Sequence, residues 1–286
     1  MKSIAIIGQS GTNARLWTEA FLKAGWRVCN LVRAPEAVAP RPNLRAVAFD
    51  FDDRATHESA LAGIDVLALI SPALPRQVEW ESALIGAAQR AGVGAIIKLS
   101  VIGADMAQPI SFFARNAAEA ENALRASGAP HLILRANGFM QNLLRQRASI
   151  LAGTYVEPSG DTAASRIDVA DVADVAVAIA NGPFDGRALT LTGAEALTGS
   201  RMAEILSATL GRPVRFASPP LPQFRAALIE RGLPAWQVEA FVELQEAVLS
   251  GRAPHLAVVT QDVAAATGRP PRSFAHFAER EFGALR

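Results

Sequence analysis

Ser3-Ile4-Ala5-Ile6-Ile7-Gly8-Gln9-Ser10-Gly11-Thr12-Asn13-Ala14 is the stretch on which the fold turns. A short run of small and apolar residues stops at glycine, and a helical pattern over 14–24 opens directly behind it. That order suits the grip on a pyrophosphate: glycine allows a tight turn and close backbone approach, a small third residue lets helix and strand pack, and the helix N-terminus attracts the anion. Gly8, Ser10, Gly11, Thr12, Asn13 and Ala14 are therefore candidate cofactor-binding residues. Gly-x-x-Gly-x-x-Ala alone is a weak signature, and its weight comes from lying between a strand and a helix. The competing reading is an ordinary turn with Ser10 capping the helix.

Outward from this unit the same alternation repeats. Apolar runs at 27–32, 45–49, 66–70, 95–99 and 131–134 are interleaved with helical patterns at 59–62, 77–91 and 114–126. Such repetition predicts βαβ units with right-handed crossovers. The fold class is α/β: a Rossmann-type, doubly wound, mostly parallel sheet with a smaller, mainly helical C-terminal substrate lobe. After Asn137 the alternation fails and prolines mark the joints at Pro213, Pro219, Pro220, Pro222, Pro234, Pro270 and Pro271. The expected division is a dinucleotide-binding domain over 1–150 and a mixed segment over 151–286. In that segment 162–180 and 188–192 read as a strand, a helix and a strand that return to the sheet.

The second strand ends in Arg33, where an acidic residue would hold a ribose 2′-hydroxyl. A cation there suits a 2′-phosphate, so NADP(H) is expected over NAD(H), unless Arg33 is simply a solvated strand-end charge. Asp50 and Phe51, after the third strand, sit where an adenine could rest, although Asp50 could equally cap a helix. Lys plus Arg total 28 against 27 for Asp plus Glu, so the charge of +1 offers no field for gripping DNA or an anionic membrane. The lone Cys29 forbids an intrachain disulfide and suits a reducing cytoplasm. The apolar runs fall well short of the roughly 18 residues a spanning helix needs. A cytoplasmic protein acting on a small-molecule substrate is expected, with no nucleic acid or membrane partner and with a homodimer left open.

The segments 8–14 (GQSGTNA), 31–36 (LVRAPE), 49–53 (FDFDD), 60–72 (ALAGIDVLALISP), 96–105 (IIKLSVIGAD), 131–144 (HLILRANGFMQNLL), 166–176 (RIDVADVADVA) and 191–214 (LTGAEALTGSRMAEILSATLGRPV) occur in this order. Together with the tail 268–280 (GRPPRSFAHFAER), the chain resembles the NmrA-like branch of the atypical short-chain dehydrogenases/reductases. The resemblance implies a Rossmann cofactor domain under a helical lobe that closes a substrate cleft. Relatives of this kind include quinone, dye and iminium reductases, and redox sensors that bind the dinucleotide without turnover. It places Gly8, Gly11, Ala14 and Arg33 at cofactor positions and Ser71 and Pro72 on the loop beside the nicotinamide ribose. Lys98, read as both cofactor-binding and catalytic, and Ser100 lie at the end of the strand entering the active site.

One departure matters. In the typical superfamily enzyme that strand-end Ser is followed in the next helix by a Tyr and, one turn later, by a Lys that sharpens its acidity. Here those places hold Phe113 and Ala117, and the only tyrosine, Tyr155, is remote in sequence. Carbonyl reduction to an alkoxide would suffer without an acid, whereas quinones, iminium ions, cationic dyes and activated alkenes accept hydride without one. NADPH-dependent hydride transfer to such an acceptor is the expected activity, and a non-catalytic NAD(P) redox sensor is the alternative. Ser100, Lys98 and Phe113 are the catalytic candidates; Phe113, Asn137, Phe139 and Met140 are the substrate candidates, with core packing as the other reading of Phe139 and Met140. Asp168 and Asp171 look like a carboxylate pair but read better as charges in the first turn of a helix. Arg115 and Glu119 read as a solvated i,i+4 pair. His57, His131, His255 and His276 show no metal spacing, and no metal site is expected.

Overall fold

A computed structural model describes residues 1–285. The first half runs β1 (Ser3–Ile7), α1 (Thr12–Lys23), β2 (Arg27–Val32), β3 (Leu44–Ala48), α2 (Ala55–Ala60), β4 (Val66–Leu69), α3 (Gln77–Arg90), β5 (Ala95–Val101), α4 (Phe112–Ala126) and β6 (His131–Ala136). It continues through α5 (Arg147–Leu151), β7 (Thr154–Val156), α6 (Val169–Ile179), β8 (Asp185–Leu191), α7 (Gly199–Leu210) and β9 (Arg215–Ala217). The last helices are α8 (Leu221–Glu230), α9 (Ala235–Leu249), α10 (Asp262–Thr267) and α11 (Phe274–Phe282). Seven strands form one sheet in the order β3-β2-β1-β4-β5-β6-β8, and every pairing in it is parallel. Strand order reverses between β1 and β4, so a crevice opens there beyond the strands' carboxyl ends.

Side chains on successive strand positions point to opposite faces, which is why a sheet buried on both sides reads as a continuous apolar run. Ile4 and Ile6 pack with Trp17 and Phe21 of α1 and Val172 and Ala176 of α6. Ala5 and Ile7 pack on the other face with Leu61, Leu84 and Leu124. Breaks fall where glycine or proline imposes them. Gly8 ends β1 at φ +86, a conformation that costs other residues strain, and Pro220 and Pro234 stand at the N-caps of α8 and α9.

The expected strand just ahead of α6 does not form. Between 162 and 168 there are only isolated bridges, Phe139 to Ile167 and Ala164 to Leu197. The backbone spends its bonding capacity elsewhere: the Ser165 amide donates to Leu256 O at 2.8 Å, and its hydroxyl donates to Val258 O. The C-terminal segment thus occupies the place a neighbouring strand would take. A two-stranded parallel sheet of β7 and β9 packs with α7 and α11 around a separate core containing Tyr155, Leu206, Phe274 and Phe277.

Asp168 at the N-cap of α6 and Asp171 and Asp174 inside it meet three arginines from the C-terminal segment. Asp168 caps the helix by accepting from the Ala170 amide at 2.9 Å and takes Arg280 at 2.7 Å. Asp171 accepts the Arg272 amide at 2.7 Å and its guanidinium, while Asp174 takes Arg272 at 2.9 Å and Arg269. Burial pushes the Asp168 carboxyl up, but hydrogen bonds from Arg280, Ala170 and Gln141 outweigh it and hold the group below its ordinary value. Asp171 goes the other way, because burial wins there over the Arg272 contacts. Arg280→Met should therefore destabilise the chain by about 1.5–3 kcal/mol at neutral pH, the range for a hydrogen bond to a charged group. Asp168's contribution is complete above the ordinary carboxylate value of about 4 and is lost as pH falls through its lower folded value. Thermal melts across the acid range check this: wild type and variant should converge at low pH, and a gap independent of pH would refute it.

Candidate active site

The glycine loop meets the requirements of a pyrophosphate cradle. The Gly8 amide donates to Leu31 O at 2.8 Å, and a Cβ on Gly8 would sit 3.7 Å from that of Ala14, which is buried beneath it. Gly11 is the N-cap of α1 at φ −66, and a Cβ there would meet nothing within 4 Å. Ser10 makes no capping hydrogen bond, so the first-turn amides at Thr12, Asn13 and Ala14 have no side-chain acceptor. Asn13 Oδ1 is sealed from solvent with no partner. Arg33, at the end of β2, is exposed and forms no ion pair among the described residues. An open backbone cradle, an orphaned buried polar atom and a free guanidinium one strand away fit a phosphorylated dinucleotide.

Beyond β3, Phe51 stacks on Trp80 with centroids 4.9 Å apart and planes 13° apart. Arg76 lies over the Trp80 ring at 5.4 Å, and Asp52 takes both Trp80 Nε1 at 3.0 Å and Arg76. Asp50 accepts the Asp52 amide at 2.9 Å within its own turn, while Arg54 stands at the N-cap of α2, so Asp50 caps no helix.

Two buried polar networks lie beneath the carboxyl ends of β4, β5 and β6. Glu81 of α3 and Lys98 of β5, both fully buried, pair at 2.5 Å. Gln77 Nε2 donates to the same carboxylate at 2.9 Å, and so does the Ser71 hydroxyl. Next along the strand, Ser100 donates to Glu121 of α4 at 2.6 Å. Arg135 of β6 forks onto that carboxylate at 3.0 and 2.7 Å, Arg125 adds a bond at 3.0 Å, and Asp105 takes the remaining Arg135 nitrogen at 2.6 Å. Burial pushes Glu121 up, but Arg135 and Ser100 more than offset it, so its carboxyl lies below the ordinary range. The structure thus brings Ser71, Lys98 and Ser100 together at one edge, each already engaged with a buried acid. Pro72 is exposed beside them.

Phe113 is half-buried in the first turn of α4, packed against Phe112 and against Phe241 of α9. Ala117, one turn on, is buried, and Glu121 follows it on the same face. Arg115 does not pair with Glu119; it reaches Glu243 of α9 at 2.8 Å, because the two helices lie side by side. Tyr155 is buried on β7 and donates to Glu157 at 2.7 Å. Burial, reinforced by the Glu157 charge, pushes its phenol far above the ordinary value. Asn137 is buried, donating to Ser165 Oγ at 2.9 Å and to Leu256 O at 2.8 Å, and so ties the end of β6 to the C-terminal segment. Phe139 is half-buried against the core on the α1 and α6 face, and Met140 is buried among Leu143, Tyr155 and Met202.

One histidine stands apart from sequence expectation. His57 Nε2 bonds Asp50 O at 2.9 Å, and His131 Nδ1 bonds Ala129 O at 2.8 Å. His255 lies against Gly103, on the loop that leaves β5: a Cβ on Gly103 would fall 2.8 Å from its Nε2. No local pattern announces this contact, since the two residues meet only through the fold. Among the described residues no group of three or more His, Cys, Asp or Glu is arranged to hold a metal ion, and no helix is long and apolar enough to cross a membrane.

Comparison with known proteins agrees with this architecture. An NAD(P)H azoreductase of Xenophilus azovorans is 34% identical over 288 residues, spanning 99% of each chain. A (4-alkanoyl-5-oxo-2,5-dihydrofuran-3-yl)methyl phosphate reductase of Streptomyces griseus is 33% identical, over 95% of each. The structure of the NADPH-dependent quinone oxidoreductase QOR2 of Escherichia coli, complexed with NADPH, superposes with a TM-score of 0.85 at 26% identity, covering 98% of this chain and 99% of the other. Residues 1–252 match the NmrA-like family, and the chain belongs to it.

Proposed function

We propose that this chain is an NADPH-dependent reductase that passes hydride to an electron-poor organic acceptor without the Tyr and Lys acid of its superfamily. The observation that carries the reading is the state of the acid's place: Phe113 packs against Phe241, Ala117 is buried, and Ser100 is spent on Glu121. Bound in the crevice, a reduced nicotinamide supplies the hydride and its two electrons. The protein's part is orientation and exclusion of water. Gly8, Gly11 and the first turn of α1 hold the pyrophosphate, with Ser10, Thr12 and Asn13 around it. Arg33 takes the 2′-phosphate, and Asp50 and Phe51 border the adenine. Ser71, fixed by Glu81, and Pro72 pass the ribose, while Lys98 acts through Glu81 as the post that holds that loop. Phe113 borders the acceptor side and Asn137 holds the end of β6 beside it, while Met140 and Phe139, placed in or against the core, serve as packing rather than as a substrate wall. The relatives' names speak of azo compounds, quinones and an oxo-dihydrofuran, all electron-poor, and this chain's acceptor is proposed to be of that class.

Single-turnover oxidation of NADPH against a quinone and a simple ketone tests the reading. Fast reaction with the quinone and none with the ketone is the expected result; equal rates would overturn it. Tight binding of NADP⁺ with no turnover on any acceptor would make the chain a sensor instead.

Arg33 should set cofactor choice. A charge-assisted fork onto the 2′-phosphate is worth about 1.5–3 kcal/mol. Arg33→Asp should thus weaken NADPH binding by about 10- to 150-fold while changing NADH little. Fluorescence titration with both cofactors measures it, and an unchanged preference would make Arg33 a bystander.

A further inference from the structure

We propose that His255 is the hydrogen-bond donor that steadies negative charge on the acceptor as hydride arrives. The proposal rests on the reductase reading above. The imidazole sits on a short turn, 254–257, whose Leu256 carbonyl receives Asn137 from the end of β6, while its ring rests against Gly103 beyond the end of β5. It therefore lies at the carboxyl edge of β5, which carries Ser100, and of β6, which leads into Asn137, where open α/β sheets take their ligands. Gly103 is at φ +85, and its bare Cα is what lets the ring approach: a Cβ would fall 2.8 Å from Nε2 and 3.2 Å from Cδ2.

The ring is also poised chemically. Neither nitrogen has a hydrogen-bond partner among the described residues, and of the two only Nδ1 is sealed from solvent. An imidazolium would bury an N–H at Nδ1 with no acceptor, so the neutral ring with its hydrogen on Nε2 is the better state. Burial holds the group below its ordinary value, against the pull of Asp105, whose carboxylate is itself engaged by Arg135. A neutral imidazole can donate to a developing anion without first being charged.

The balance of the step is simple. A quinone takes one hydride, hence two electrons, from the reduced nicotinamide; a new bond to hydrogen forms on the acceptor and its oxygen becomes anionic. Nε2–H donates to that oxygen, and a proton from water completes the hydroquinone. A cationic triarylmethane dye differs: the same hydride neutralises it, no anion forms, and His255 has nothing to stabilise.

His255→Phe should therefore lower kcat for a quinone by on the order of 100-fold, the usual loss for one such donor. The rate with a cationic dye and the NADPH affinity should stay as in wild type. His255→Gln, whose amide N–H stands in for Nε2–H, should recover part of the quinone rate. Independently of turnover, the imidazole ¹⁵N signal of His255 should shift when 4-nitrophenolate is added to the cofactor-free protein. Equal losses with both acceptors would show a packing role only, and no loss with either would remove the ring from the site; each overturns the proposal. If the wild-type protein reduces neither acceptor, the reductase reading fails, and an unmoved imidazole signal would then overturn this one as well.

Discussion

Gly11→Val should abolish dinucleotide binding and leave the fold in place. The backbone at Gly11 is extended at φ −66 and ψ 143, a conformation valine adopts freely, and a Cβ there touches nothing within 4 Å. The folded protein alone thus has little reason to resist the change. On the proposed reading the pyrophosphate comes to within hydrogen-bond distance of the first turn of α1 through this open space, and an isopropyl group would stand in that path. Affinity for NADPH should fall at least about 100-fold, equivalent to roughly 2.7 kcal/mol, with the melting temperature shifted by no more than a few degrees. Calorimetric titration and thermal melts on one sample decide it. Binding at wild-type strength would remove the whole assignment of the cradle, and unfolding would mean that the loop is structural. Gly8 makes the contrast: at φ +86 any side chain there strains the backbone, so Gly8→Val should lose stability first.

Lys98→Met should cost about 3–5 kcal/mol of folding free energy, because it strands a fully buried carboxylate. Glu81 would keep Ser71 and Gln77 as donors but lose its only cation among the described residues. Lys98→Met combined with Glu81→Gln should recover most of that loss, since the amide oxygen still accepts from Ser71 and Gln77 and no charge is left unpaired. Urea unfolding of the two singles and the double gives the coupling directly, and strictly additive losses would refute it. The double variant also isolates function: if the pair serves to fix Ser71 beside the cofactor, NADPH affinity should stay near wild type once Ser71 keeps its acceptor.

The parallel core was legible because its strands are buried on both faces and end at glycine or turn residues. β1 and β2 lie where their apolar runs predict, Ser3–Ile7 and Arg27–Val32. Helix beginnings were harder: α1 starts at Thr12, two positions before the apolar pattern becomes regular, because polar residues in a first turn carry no periodic signal. The false strand ahead of α6 has a clear cause. Only Thr162 and Ile167 in it favour a strand, and Ser165 gives its amide and hydroxyl to Leu256 and Val258, a distant competitor for hydrogen bonds that no local pattern reveals. The same blindness hid Glu81, an unremarked acid in a helix until β5 brings Lys98 to it, and His255. Residues whose role follows from backbone geometry, such as Gly8 and Ala14, were visible in the sequence; those whose role follows from pairing across the fold were not.

If Phe113 and Ala117 hold the places of an acid and its helper, as proposed, then the packing at Ala117 closes off a route to carbonyl chemistry. A single change at 113 would restore a phenol, but the helper ammonium one turn later would have to enter a site that is 2% exposed, with Glu121 already committed to Ser100 and Arg135. Burying an unpaired ammonium is among the costliest changes a core can suffer. A mutational path that restores the acid must therefore first unpack the face of α4 or rewire Glu121, and such intermediates would lose stability before gaining any catalysis. On the proposed reading, packing around Ala117 acts as a ratchet that holds such an acid out.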